Sequence, residues 1–117
     1  MLTLPSSVKI FLAAGPVDLR RSIDGLGAIV RARGHDVFSG HLFVFGSRRG
    51  DRVKILTWDR GGFVLYYKRL EQGRFRLPQI AVDAAEVEID ATALAMLLDG
   101  IDLERVRRPR AWSPAAR

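Results

Sequence analysis

HLFVFGSRRGDRVKILTWDRGGFVLYYKRLEQGRFRLP, residues 41–78, decides the fold. It holds seven of the chain's ten aromatic residues and nine of its nineteen basic ones, against three acids. Three strand-like runs, Leu42–Phe45, Arg52–Trp58 and Phe63–Leu70, are separated by Gly46–Asp51 and Asp59–Gly62. Runs of β-branched and aromatic residues broken by glycine-bearing turns are the pattern of antiparallel hairpins. Leu42–Phe45 is apolar at successive positions, so both of its faces need cover.

The second hairpin can be registered. A loop of two residues (Arg60-Gly61) or of four sets Trp58 opposite Phe63, Leu56 opposite Leu65, Lys54 opposite Tyr67 and Arg52 opposite Arg69. The other face then carries Thr57–Val64, Ile55–Tyr66 and Val53–Lys68. The first face is apolar near the glycines and basic at its far end. Like charges directly opposed are unfavourable. Arg52 against Arg69 therefore predicts either fraying at that end or an anionic partner beside it. Neither face is cleanly polar, so the hairpin is expected to pack on both sides against a helix, a further sheet or a second subunit.

Upstream, Val8–Ala13 reads as a strand closed by the Gly15-Pro16 turn. Asp18 is placed to cap a helix from Leu19 to about Ala32, with Leu19, Ile23, Leu26 and Val30 on one stripe and Gly34 as its stop. Gly25 and Gly27 each weaken such a helix by ~1 kcal/mol relative to Ala, which suggests either close approach of another backbone or local looseness. Arg20, Arg21 and Arg31 lie off the stripe. Downstream, Glu86–Ile89 is a short strand. Asp90 caps a second helix, Ala91–Asp99, which faces the core with Leu94, Leu97 and Leu98 and is ended by Gly100. Five arginines and two prolines follow between Ile101 and Arg117.

The predicted architecture is α+β: an antiparallel β-meander of about four to five strands, one main helix packed on it, and a short C-terminal helix. At 117 residues the length prior gives one domain, 1–107, with 108–117 as a basic flexible tail. Such a chain can bury roughly two-thirds of its unfolded surface. With 48% hydrophobic and 27% charged residues, disorder is not indicated. The absence of cysteine removes disulfides and thiolate metal sites, and fits a reducing cytoplasm. No apolar run approaches the ~18 residues of a membrane span. The N-terminal stretch has its one basic residue, Lys9, inside the apolar run, unlike a signal peptide.

The net charge of +6 points to a polyanionic partner. Lysine and arginine neutralise phosphates and release counterions. Exposed aromatics can stack on unpaired bases, and a two-stranded ribbon fits a major groove. The bland alternative makes Trp58, Phe63, Tyr66 and Tyr67 core, with charges on the rim. For single aromatics the core is the better reading, and for the arginine cluster as a set nucleic acid is.

Catalytic constellations are lacking. Asp18, Asp24, Asp51, Asp59, Asp83 and Asp90 are scattered without metal-site spacing, and Asp18 and Asp24 fall on different helix faces. They read as caps, turns and ion pairs. His35 and His41 stand in or beside a loop without further ligands. No phosphate-binding glycine loop is present. Ser39 near His41 is a weak nucleophile pattern. Arg49-Gly50-Asp51 spells an adhesion tripeptide that recurs by chance.

Four ordered blocks carry a resemblance. Asp18-Leu19-Arg20-Arg21-Ser22-Ile23-Asp24-Gly25-Leu26 is followed by Ser39-Gly40-His41-Leu42-Phe43-Val44-Phe45. Then come Asp51-Arg52-Val53-Lys54-Ile55-Leu56-Thr57-Trp58-Asp59 and Gly62-Phe63 through Tyr67-Lys68-Arg69-Leu70-Glu71 to Gly73-Arg74-Phe75. From about Val8 to Pro78 the chain resembles the TnpB-type accessory protein, the product of the second open reading frame, of the insertion sequence 66 family of bacterial transposable elements. The resemblance implies a non-catalytic role in DNA transposition in the bacterial cytoplasm. The implied partners are a separate DDE-type transposase and other proteins of the element. It transfers no catalytic residues, cofactor or metal.

The leading expectation is an accessory factor that binds DNA through a basic surface. Arg48, Arg49, Arg52, Lys54, Lys68, Arg69, Arg74 and Arg76 are the expected phosphate contacts, with Arg20 and Arg21 as a second patch. The alternative is a protein–protein adaptor that docks on the transposase without touching DNA, through an exposed apolar patch including Trp58 or Phe63. An enzyme would need carboxylates gathered in space. A homo-oligomer is compatible with either role.

Overall fold

A computed structural model describes residues 4–100 of the chain. In order they form β1 (Ile10–Ala13), α1 (Ile23–Ala32), β2 (Leu42–Gly46), β3 (Arg52–Asp59), β4 (Gly62–Arg69), β5 (Glu86–Ile89) and α2 (Ala91–Leu98). The strands make one sheet in the order β4-β3-β2-β1-β5. The architecture is α+β, and the expected meander is β2-β3-β4, antiparallel throughout. β5 is antiparallel to β1. The antiparallel expectation needs one correction, because β1 runs parallel to β2. A parallel pair requires a crossover, and α1 is that crossover.

All five residues of β2 are buried, because both faces of the sheet are covered. On one face Leu26 and Val30 of α1, with Leu19 and Val37, pack on Phe43, Phe45 and Leu56. On the other, Leu94, Leu97 and Leu98 of α2, with Phe75, pack on Ile10, Leu12, Leu42, Val44, Val53 and Ile55. Arg74-Phe75-Arg76 is not a strand. It is a tether that drops Phe75 into the second layer, and the Phe75 N–H donates to the Gly50 carbonyl at 2.7 Å.

The predicted hairpin register holds at every pair, from Trp58–Phe63 to Arg52–Arg69. Its loop is the two-residue form, with Arg60 at φ 46° and Gly61 at φ 89°. Two positive φ angles match the right-handed twist of the flanking strands. The ladder parity follows. The Ser47 N–H donates to the Arg52 carbonyl, so the even residues of β3 bond β2 and the odd ones bond β4. In β4 the even residues bond β3, and the backbones of Phe63, Leu65, Tyr67 and Arg69 point away from the sheet. The Arg52–Arg69 end does not fray: the Leu70 N–H continues the ladder to the Asp51 carbonyl at 2.7 Å. Arg69 is paired with Glu71 at 3.0 Å, and Arg52 lies 3.9 Å from Asp51. Two acids relieve the like-charge contact.

Helix α1 starts four residues later than predicted. Asp18 does not cap it, because its carboxylate is taken by Arg20: Oδ1 accepts from the Arg20 N–H at 3.0 Å and Oδ2 from the guanidinium at 2.8 Å. Ser22 is the N-cap by backbone alone, without a side-chain bond. Leu19 is still buried, just ahead of the helix. The two helix glycines do not admit another backbone. A Cβ on Gly27 would meet the Val37 side chain at 3.7 Å, and one on Gly25 the Arg21 side chain at 3.1 Å. Gly34 ends the helix at φ 85°. In α2 the predicted cap is present, with Asp90 Oδ1 accepting from the Ala93 N–H at 2.7 Å. The expected basic tail, 108–117, lies outside the described residues.

The two caps make a contrast that thermal or urea unfolding can read. Asp90→Ala should cost about 1 kcal/mol, whereas Ser22→Ala should stay within about 0.5 kcal/mol. Equal losses would refute the assignment. At the hairpin loop, Gly61→Ala should destabilise by ~1 kcal/mol because L-residues resist positive φ. Arg60→Asn, which tolerates it, should be neutral or stabilising.

Candidate nucleic-acid interface

The turn between β2 and β3 projects from one end of the sheet. It is built to be rigid. The Gly50 N–H donates to the Ser47 carbonyl at 3.0 Å, and Gly50 takes φ 78°. Ser47 Oγ accepts from the Arg52 N–H at 3.2 Å and donates to Asp51 Oδ1 at 3.3 Å. The Gly50 and Asp51 carbonyls are held by the N–H groups of Phe75 and Leu70. Arg48 and Arg49 stand exposed at the tip, on backbone that is fixed from both sides.

Two clefts flank this tip. One, of about 580 Å³, lies between the turn and Pro16–Arg20 and includes Asp51 and Arg52. The other, of about 490 Å³, lies between the turn, Gly15-Pro16, Arg74 and the 77–84 segment. Arg48 and Arg49 line both, so they form the ridge between them. Arg74 reaches this ridge: its Cβ lies 3.5 Å from where a Cβ on Gly50 would be.

The ten cations singled out in the sequence do not share one surface. Arg48, Arg49, Arg52, Arg74 and Arg20 gather around the turn. Lys54 is on the α1 face, where Nζ donates to the Arg21 carbonyl at 2.9 Å and sits 5.2 Å from the Tyr67 ring centroid. Lys68 is on the opposite face and donates to the Leu98 carbonyl at 2.7 Å, compensating the negative end of α2. Arg69 lies along β4 and Arg76 is exposed beyond Phe75.

Pairing sorts the cluster further. The Arg20 hydrogen bond holds the Asp18 carboxyl down at about 2, and the same bond raises the guanidinium. The Glu71 carboxylate likewise raises Arg69. Both arginines are therefore charge-compensated at ordinary pH. Arg52 Nε is buried without a hydrogen-bond partner. Among the described residues no ion pair engages Arg48, Arg49, Arg74, Arg76 or Arg21.

Both histidines are engaged within the fold. His35 Nε2 meets the Glu86 carboxylate at 2.6 Å, and its ring lies 4.5 Å from that of Phe11. His41 Nδ1 accepts from the Lys9 N–H at 3.0 Å. The Ser39 hydroxyl accepts from the His41 N–H. Among the described residues no three His, Asp or Glu side chains are grouped to hold a metal ion. Trp58 and Phe63 are half-buried and stack edge-on with centroids 4.9 Å apart, and Phe38, 55% exposed, closes over both. Tyr66 and Tyr67 are exposed on opposite faces of β4.

Sequence reasoning missed the Gly15-Pro16 side of both clefts and the Phe38 contact. No local pattern signals either, because parallel β1–β2 pairing alone brings residue 16 beside residue 48.

No solved structure shows significant similarity to the chain. Two curated relatives, both from Sinorhizobium fredii (strain NBRC 101917 / NGR234), match over most of their length. The uncharacterized protein y4jC is 36% identical over 102 residues, covering 86% of each chain. The uncharacterized protein y4hO is 33% identical over 116 residues, covering 97% of this chain and 96% of the relative. The family model described as IS66 Orf2-like protein matches residues 8–108, from ahead of β1 to beyond α2, and the chain belongs to that insertion-sequence family.

Proposed function

We infer that this protein is a non-catalytic accessory factor of transposition that binds DNA through the Arg48-Arg49 turn and works beside a separate transposase. The observation that carries the inference is the rigid, exposed ridge of two arginines, without an ion pair among the described residues, between two clefts and joined by Arg74 and Arg52. Guanidinium groups suit phosphate recognition because they offer a planar fork of donors. A tip held by backbone bonds loses little entropy when it docks. Arg20 and Arg69, already paired, add less, and Lys54 and Lys68 serve the fold. Family membership supports the transposition setting and, with it, a bacterial cytoplasm.

Phe38 motivates a second role. It is a large apolar side chain, more than half exposed, over the Trp58–Phe63 pair at the opposite end of the hairpin. An adaptor that docks on the transposase would use this end.

Titration of the full chain against element-end and random duplex DNA at two salt concentrations separates the two roles. Arg48→Glu/Arg49→Glu should weaken binding to both DNAs at least tenfold and reduce the salt slope by about 2, one for each phosphate no longer neutralised. Phe38→Ser should leave DNA binding unchanged. No binding by the parent chain at low salt, or an unaltered slope in the double variant, would refute DNA binding through this turn. Loss of transposase co-purification in Phe38→Ser alone would favour the adaptor.

A further inference from the structure

We propose that two copies of this chain pair through β4, antiparallel about a two-fold axis at Tyr66, and join their sheets into one. β4 is an edge strand of eight residues. The backbone N–H and C=O groups of Phe63, Leu65, Tyr67 and Arg69 point outward and meet no backbone partner among the described residues. Proteins block such edges with short strands, prolines or charges, because an open edge templates pairing. The other edge is blocked: β5 has four residues, two of them Glu86 and Glu88. β4 has no proline and presents Val64, Tyr66 and Tyr67 at 48%, 41% and 48% exposure. Its two charges are at one end and already occupied, Lys68 by the Leu98 carbonyl and Arg69 by Glu71.

The strand is complementary to itself. Directly opposed residues in an antiparallel pair must both point outward or both inward. With Tyr66 opposite Tyr66 of the second copy, Phe63 meets Arg69 and Leu65 meets Tyr67, so all four outward residues find partners. A shift that centres Leu65 instead sets Arg69 against Gly61, inside the turn and beyond the ladder. In the Tyr66 register Lys68 faces Val64 of the second copy. The two Lys68 residues then lie about 14 Å apart along the strands at ~3.4 Å per residue, beyond the ~8 Å screening length. Parallel pairing would crowd the basic ends together. The two-fold contact is isologous and closes at two copies. One strand per copy makes a small interface, below ~1,200 Å² in total, so association belongs in the micromolar range.

Sedimentation of the full chain without nucleic acid, from roughly 1 to 200 μM, should show reversible growth from one chain mass to two. Tyr66→Lys and Tyr66→Glu should each weaken dimerisation at least tenfold, and mixing them should restore it, since opposite charges then meet at the axis. Tyr67→Pro removes an outward N–H that β3 does not use, and should abolish the dimer. Should circular dichroism show Tyr67→Pro unfolded, the Tyr66 pair decides alone. A monomer at every concentration, a dimer indifferent to these substitutions, or open-ended polymers of β4 on β5 would each overturn the proposal.

Discussion

Burial of β2 on both faces is the constraint on which the rest of the structure depends. Leu42, Phe43, Val44 and Phe45 send side chains alternately to two layers, and none is more than a few per cent exposed. Each such side chain is worth about 1.5–3 kcal/mol when removed from water, so two separate covers are required. The first is local: α1 is the crossover between β1 and β2 and lies on the face it crosses. The second has to come from farther along the chain. The segment after β4 therefore returns under the sheet, setting Phe75 beneath the strands before β5 and α2 complete the layer.

That return path is also what assembles the basic end. β1 and β2 run parallel, so the turns that leave them emerge at one end of the sheet, where the tether carrying Phe75 passes as well. Charged side chains cannot enter either apolar layer unpaired, and the ends of strands are where the layers stop. Gly50 marks the crossing: its carbonyl receives the Phe75 N–H, and its missing side chain leaves room for Arg74. The arginine ridge and the second core layer are thus two consequences of one backbone contact.

The hairpin was legible residue by residue because glycine turns leave few loop lengths and side-chain alternation has a period of two. Both helix stops and the α2 cap were legible for similarly local reasons. The start of α1 was not. Asp18 has the right identity for a cap, but Arg20, two residues on, competes for the same carboxylate and wins with a bidentate pair. The ends of Lys54 and Lys68 were hidden as well. Alternation placed them on opposite faces, yet the carbonyls they bond belong to Arg21 and Leu98, distant in sequence. A basic residue counted from sequence is a candidate phosphate contact only until its amine finds a closer acceptor, and that acceptor is a product of the tertiary fold.

The remaining arginines invite a comparison of magnitudes. Exposed ion pairs such as Arg20–Asp18 and Arg69–Glu71 stabilise a fold by about 0–1 kcal/mol, and side chains at a turn tip make almost no packing contacts. Neither term gives the fold a reason to keep Arg48 and Arg49 side by side. Like charges at neighbouring positions repel, and among the described residues no ion pair offsets that repulsion. Two acids, Asp18 and Asp51, line the cleft beside them, but Asp18 pairs with Arg20 and Asp51 lies beside Arg52. Those acids face neighbours that shape the end of the sheet, and among the described residues no ion pair reaches the charge on the hydrogen-bonded turn. Repulsion retained on a preorganised surface is offset when an external anion binds, and an array of phosphates offsets more of it than any single carboxylate.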